Sequence, residues 1–199
     1  MFKKKIKGVI HVGSHECEER NIYINSLNLN DKNIIWIDAI KEKVDECRKK
    51  YQEAIIFNNC ISDVDDQEVQ FIITNNYQSS SIFELGTHKI EHPDVFETHR
   101  ILLKTKTLNT LFKENNLDVT SYNLMNIDIQ GAELKALIGA TNIIPYLDYL
   151  IVEVNIKQLY VNCPLLNDID DYLKSHGFKR IYIELTKCGW GDAIYERNT

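Results

Sequence analysis

Only three prolines and eight glycines punctuate the 199 residues, and no segment is enriched in either. A collagen-like chain, a Pro-rich spacer and a Gly/Ser linker are therefore excluded, and the chain reads as one domain over residues 1–199. The five cysteines (Cys17, Cys47, Cys60, Cys163 and Cys188) are odd in number and contain no CxxC pair. This pattern argues against a zinc ribbon or a disulfide framework and favours a reducing, cytoplasmic setting. Lys and Arg do not cluster beyond Lys3-Lys4-Lys5, and the net charge is −6, so nucleic-acid binding is set aside as a main function. No apolar run approaches the roughly 20 residues of a membrane helix. The basic start MFKKKIK lacks the apolar core that a signal peptide would place after it.

What is present is alternation. Short runs rich in Ile and Val, at Val9–Val12, Asn33–Ile40 and Ala54–Ile61, alternate with polar or charged stretches of helical character to about Leu29 and over Lys41–Tyr51. Continuously apolar strands imply burial on both faces, as in a parallel sheet covered by helices. Strands are expected at Glu68–Thr74 and Ile101–Thr107, separated by a polar stretch, 75–100, that reads as an inserted hairpin and loop beside the substrate site. Alternation resumes with strand Tyr122–Asp128, helix Ala132–Ala140, strand Tyr149–Asn155 and helix Leu165–His176. Two last runs, Phe178–Thr186 and Asp192–Arg197, joined by a Gly-containing connection, predict an antiparallel hairpin at a sheet edge. The fold class expected is α/β: a seven-stranded, mostly parallel sheet with helices on both faces and a C-terminal antiparallel hairpin.

In open α/β sheets ligands bind beyond the carboxyl ends of the strands, so strand-ending residues carry the functional information. The first strand runs into Gly13-Ser14-His15-Glu16-Cys17-Glu18, where a glycine permits close backbone approach. This is not a GxGxxG loop, and a plain strand-to-helix turn explains it equally well. The second strand ends at Asp38, which suits the hydroxyls of a ribose or the cap of the next helix. Gly13 and Asp38 taken together favour a nucleoside ligand. The segment Asn126-Ile127-Asp128-Ile129-Gln130-Gly131-Ala132-Glu133 and the strand end Glu153-Val154-Asn155 bring three carboxylates, Asp128, Glu133 and Glu153, toward one crevice. One of them can serve as a base or hold a divalent cation, although Glu133 equally suits a helix dipole.

The ordered segments VIHVGSHECEE, WIDAI, FNNCISD, QSSSIFE, KTLN, NIDIQGAELKALIGA and IVEVN resemble the FkbM family of S-adenosylmethionine-dependent methyltransferases over about Val9–Asn155. The resemblance implies a Rossmann-like fold and O-methylation of a sugar, nucleotide-sugar, glycan or polyketide-type hydroxyl, with S-adenosylmethionine as the cofactor and S-adenosylhomocysteine as product. It implies that Gly13, Ser14, His15 and Glu18 line the methionine and ribose side, and that Asp38 and Ala39 meet the ribose. Asn59, Cys60 and Ile61 would meet the adenine, and Asp128 the methionine portion. The acceptor side is expected at Ser80, Ser81, Gln130 and Asn155, with Asp128, Glu153 and His15 as candidate catalytic groups. The chain departs from the family pattern at three places: His11 stands where an acid is usual, Cys17 where a second glycine is usual, and Asn126 where a lysine is common.

Two other readings stay open at this level. One is a nucleotide-binding oxidoreductase using Asp38; the other is a binding module that keeps the fold without the reaction, motivated by His11 and Cys17. His88 and His92, four apart, with His99 beyond them, have a zinc-like spacing, but Pro93 and the lack of a fourth ligand favour exposed surface histidines. No metal is assigned. Tyr77, Phe83, Tyr160 and Trp190 are equally suited to stacking on a ring and to packing. No pattern marks an oligomer interface.

Overall fold

The computed structural model describes residues 2–198. Its chain order is β1 (Val9–Val12), α1 (Arg20–Ser26), β2 (Ile34–Asp38), α2 (Lys41–Lys50), β3 (Ile55–Asn58), β4 (Cys60–Ile61), β5 (Glu68–Thr74), α3 (His88–Glu91) and β6 (Glu97–Lys106). It continues with α4 (Leu108–Glu114), β7 (Leu124–Ile127), α5 (Glu133–Ile138), β8 (Tyr149–Asn155), α6 (Leu166–Ser175), β9 (Phe178–Leu185) and β10 (Trp190–Arg197). Seven strands form one sheet in the order β3-β2-β1-β7-β8-β10-β9. The first five pair in parallel, and β10 is antiparallel to both β8 and β9, as the hairpin at the C-terminal end of the sequence predicts.

The fully apolar strands are buried on both faces because each parity of residues has its own helical cover. Ile10, Val12, Ile127 and Val152 pack with Leu111 and Phe112 of α4, Ala136 and Leu137 of α5, and Ile169 and Leu173 of α6. Val9, Trp36 and Leu124 pack with Tyr23 of α1 and Val44 and Cys47 of α2. Helix α2 shows the local logic. Val44 and Cys47, three apart, face the sheet, Glu42 lies in the first turn, and Arg48, Lys49 and Lys50 in the last complement the helix dipole.

The structure departs from the sequence expectations in several places. The run Ala54–Ile61 is not one strand: β3 belongs to the large sheet, and β4, after Asn59, pairs with Thr105–Lys106 in a second sheet of order β4-β6-β5. Strands β5 and β6 are the expected inserted pair, antiparallel, but β6 begins at Glu97 rather than Ile101. The segment Thr87–His99 is not simply an exposed loop, since it holds the short helix α3 and the start of β6. Helix α4 was not anticipated, although Thr107 caps it by accepting from Thr110 N–H at 3.1 Å and Leu108, Leu111 and Phe112 have helical spacing.

The strand order reverses at β1, between β2 and β7. The crevice beyond the carboxyl ends of β1, β2, β7 and β8 is therefore the expected ligand position.

Candidate active site

The first loop is shaped by backbone as much as by side chains. Gly13 adopts φ +87°, and a Cβ there would collide with the carbonyl of Asp128, so glycine is required where β1 and β7 part. Gly13 and Ser14 N–H both donate to the Ile37 carbonyl, at 2.8 and 3.1 Å. His15 and Cys17 take left-handed φ values of 41° and 57°. Cys17 thus occupies a conformation that favours glycine, yet its thiol turns inward to the core and burial pushes it up. It does not line the cavity.

That cavity, of about 570 Å³, has a size common among small-molecule sites. Asp38 forms one end. Its Oδ2 accepts from His15 N–H and its Oδ1 from Ile40 N–H, both at 2.8 Å, which orients the carboxylate while burial raises its pKa. Asn58 Nδ2 donates to the carbonyls of Asp38 and Ala39 at 3.0 Å and so holds the turn that presents Ala39, Asn59, Cys60 and Ile61 to the cavity. His15 Nδ1 lies 2.8 Å from Glu18 Oε1, and its buried Nε2 has no partner.

Three strands supply the middle. Asp128 follows β7, Glu153 lies on β8, and Asp192 of β10 is in register with Glu153. Gln130 Nε2 donates to Asp128 Oδ1 at 2.6 Å and to Glu153 Oε2 at 2.9 Å. Glu153 is pushed well above the ordinary carboxylate range, first by burial and then by the negative charge of Asp128 and Glu133. Both causes favour its neutral form. Asp128 is also raised by desolvation, but its hydrogen bonds from Glu153 and Gln130 favour the ionised form.

Asp128, Glu133 and Glu153 each offer an oxygen within 4.8 Å of the others. These oxygens already have partners: Glu133 Oε1 accepts from the N–H groups of Ile129 and Gly131, at 3.0 and 2.9 Å, and Gln130 serves the other two residues. Glu133 is a loop-closing residue, absent from the cavity wall, as are Ser14 and Ser81. Ser81, expected on the acceptor side, instead donates to the Gln130 carbonyl at 2.7 Å and accepts from Phe83 N–H at 3.0 Å. Ser80, Gln130 and Asn155 do reach the wall.

The wall also includes Glu19, which the sequence did not single out, and His88 and His92, expected as exposed surface histidines. Glu19 faces the cavity beside His11, with Oε2 3.8 Å from His11 Nδ1. His88 is not an exposed histidine: it is 5% exposed and sits against His92 and Tyr160, with ring centroids 4.8 and 5.6 Å away. Trp190 Nε1 donates to His92 Nε2 at 3.3 Å. For Glu19 the available signal was an acid six residues past the loop glycine.

The sequence profile of the methyltransferase FkbM domain matches residues 11–180. This chain belongs to the FkbM methyltransferase family. Among solved structures, the FkbM methyltransferase from Methylobacillus flagellatus KT superposes with a TM-score of 0.62 at 13% identity, covering 98% of this chain and 44% of that one. A Listeria monocytogenes protein described as uncharacterized gives a TM-score of 0.50 at 7% identity, covering 96% and 61%. This FkbM chain thus spans less than half the length of the first neighbour, and at these identities the likeness concerns the fold. No curated protein matches the chain.

The three departures from the family pattern acquire physical form. His11, buried at 2%, stacks on Trp36 with centroids 5.1 Å apart and meets Tyr23 Oη through Nδ1 at 3.0 Å. Tyr23 Oη in turn accepts from Asn126 Nδ2 at 2.8 Å. His11, Tyr23 and Asn126 form one neutral network, with desolvation lowering the His11 pKa to about 4.

Proposed function

We propose that this FkbM domain transfers a methyl group from S-adenosylmethionine to a hydroxyl of a sugar- or glycan-type acceptor. The observation that carries the reading is the charge of the cavity. Its wall includes Glu18, Glu19, Asp38, Asp128, Glu153 and Asp192, and no Lys or Arg among the described residues. Such a wall suits a ligand that bears a sulfonium and an ammonium and disfavours a dinucleotide pyrophosphate. Asp38, held by two backbone N–H groups, retains lone pairs for ribose hydroxyls. The unpartnered His15 Nε2 adds a polar group for the same ligand. Glu19 supplies the acid that His11 does not.

When bound, S-adenosylmethionine supplies an electrophilic methyl group on a positively charged sulfur. The protein must align the acceptor oxygen with it and take up the hydroxyl proton. Alignment of this kind is worth roughly 7–11 kcal/mol in well-oriented systems. Asp128 is the favoured base because its hydrogen bonds from Glu153 and Gln130 favour the ionised form, whereas burial and like charge favour the neutral form of Glu153. His15 is tied to Glu18 and serves binding better than proton transfer.

The inward turn of Cys17 leaves the cavity unobstructed, which removes one reason for a non-catalytic reading. Cysteine usage supports a cytoplasmic location, and no helix among the described residues is long and apolar enough to cross a membrane. The test is a thermal-shift titration with S-adenosylhomocysteine, using NADH and ATP as controls. A saturable rise in Tm with the first ligand alone is expected. A rise with NADH alone, or no rise at millimolar S-adenosylhomocysteine, overturns the reading.

A further inference from the structure

Four buried side-chain polar atoms lack a hydrogen-bond partner among the described residues: His15 Nε2, Trp36 Nε1, His88 Nδ1 and Asn155 Nδ2. Three belong to residues of the same cavity wall. Buried polar atoms left without partners cost free energy, and at residues of the wall a turn of the ring or amide offers them to a polar ligand that completes the hydrogen bonding. His15 lies at the Asp38 end. His88 and Asn155, 5% and 2% exposed, lie at the other, near Tyr160 and Trp190.

The chemistry of that second end is specific. His88 is kept neutral by burial and by neighbouring His92, and Asn155 offers an amide donor. Beside them run Asp128, Glu153 and Asp192 on adjacent strands, and the Asp192 pKa is raised by burial and by the charge of Asp128. Among the described residues no Lys or Arg lies on the wall, and Lys43, Lys157 and Arg100 are engaged elsewhere, with Glu16 and Glu46, with Glu91, and with Glu84 and Glu97. A phosphate or carboxylate would find three acids and no cation, whereas a hydroxyl finds neutral donors and carboxylate acceptors.

Resting on the methyltransferase reading, we infer that His88 and Asn155 form a hydroxyl-recognition subsite for an uncharged polyol acceptor. Acceptors carrying a phosphate, nucleoside diphosphate or carboxylate next to the methylated ring are rejected. Trp190, half-buried, borders the subsite as apolar ring surface, with the buried Tyr160 behind it.

The experiment is saturation-transfer NMR on protein saturated with S-adenosylhomocysteine. The probes are methyl glycosides of glucose, galactose, mannose and rhamnose, with the 6-phosphates and uronates of the first three. At least one neutral glycoside is expected to bind, and its anionic counterpart at least about tenfold more weakly. His88→Phe, which keeps an aromatic ring, should weaken that glycoside about fivefold or more and leave S-adenosylhomocysteine affinity unchanged. Asp192→Lys should narrow the gap between the neutral glycoside and its phosphate. Equal or tighter binding of an anionic member, no binding of any neutral member, or an unaltered His88→Phe variant overturns the inference. Failure to bind S-adenosylhomocysteine overturns the methyltransferase reading instead.

Discussion

Tyr160 Oη donates to Gln130 Oε1 at 2.5 Å, and this contact, with the two carboxyl groups that accept from Nε2, sets which way the Gln130 amide faces. With its oxygen held by the phenol, Nε2 points to Asp128 and Glu153. Burial and three neighbouring carboxylates keep the Tyr160 phenol protonated, and its hydroxyl also reaches the Ser79 carbonyl at 3.2 Å. Tyr160→Phe frees the amide to rotate and should lower methyl transfer about tenfold or more, consistent with loss of a hydrogen bond to a charged network. S-adenosylhomocysteine affinity, read by calorimetry, should change little. An unaltered rate would remove Tyr160 from the network's function.

The two carboxyls bridged by Gln130 stand in different surroundings, Asp128 receiving hydrogen bonds that favour its ionised form and Glu153 pushed toward its neutral form, so their amide variants should differ in rate. Asp128→Asn removes the proposed proton acceptor and is expected to cost roughly 10²–10⁴ in single-turnover rate. Glu153→Gln keeps a neutral hydrogen-bonding group where the surroundings already favour the neutral form of the acid, and should cost far less. The reverse ranking would transfer the role of base to Glu153.

Much of this arrangement was legible in the sequence because strand ends announce themselves. Gly13, Asp38, Asp128 and Glu153 interrupt apolar runs, and a charged residue in a strand buried on both faces has few structural uses. The alternation of β1, β2, β7 and β8 with their helices was legible for the same reason. What escaped was contributed by segments without periodicity. His88 lies in a helix of four residues, too short to leave a pattern, and its burial depends on Tyr160 across the cavity. Ser81 was misassigned because a serine run does not say which hydroxyl faces inward; only the Gln130 carbonyl decides that. The break at Asn59 was equally hidden, since β3 and β4 are both apolar and differ only in the sheet they join.

Gly13 should tolerate no side chain. Gly13→Ala places a methyl group against the Asp128 carbonyl and forces a positive φ on alanine. The backbone strain alone is of order 1–3 kcal/mol, and the collision adds to it by pushing β7 from β1. Chemical denaturation should show a lower midpoint, with S-adenosylhomocysteine binding lost even where the variant remains folded. Wild-type stability in this variant would mean that the β1–β7 junction is looser than it stands.

The His11 network makes a prediction about acid stability. In the unfolded chain a histidine titrates near 6.5, whereas in the fold burial lowers His11 to about 4. Between these values the unfolded state binds more protons, so the contribution of His11 is fully present above about pH 6.5 and is lost as pH falls toward 4. The interval corresponds to about 3 kcal/mol at roughly 1.4 kcal/mol per pH unit. Glu19, Asp128 and Glu153 are shifted upward and act in the opposite direction, so the wild-type profile alone does not isolate the histidine. His11→Gln does, because glutamine can still accept from Tyr23 and does not titrate. The stability difference between wild type and His11→Gln, measured by urea unfolding at pH 7.5, 5.5 and 4, should shift steadily in favour of the variant as pH falls. Parallel curves would show that His11 is reached by protons in the folded state, and the neutral His11–Tyr23–Asn126 network would then have to be abandoned.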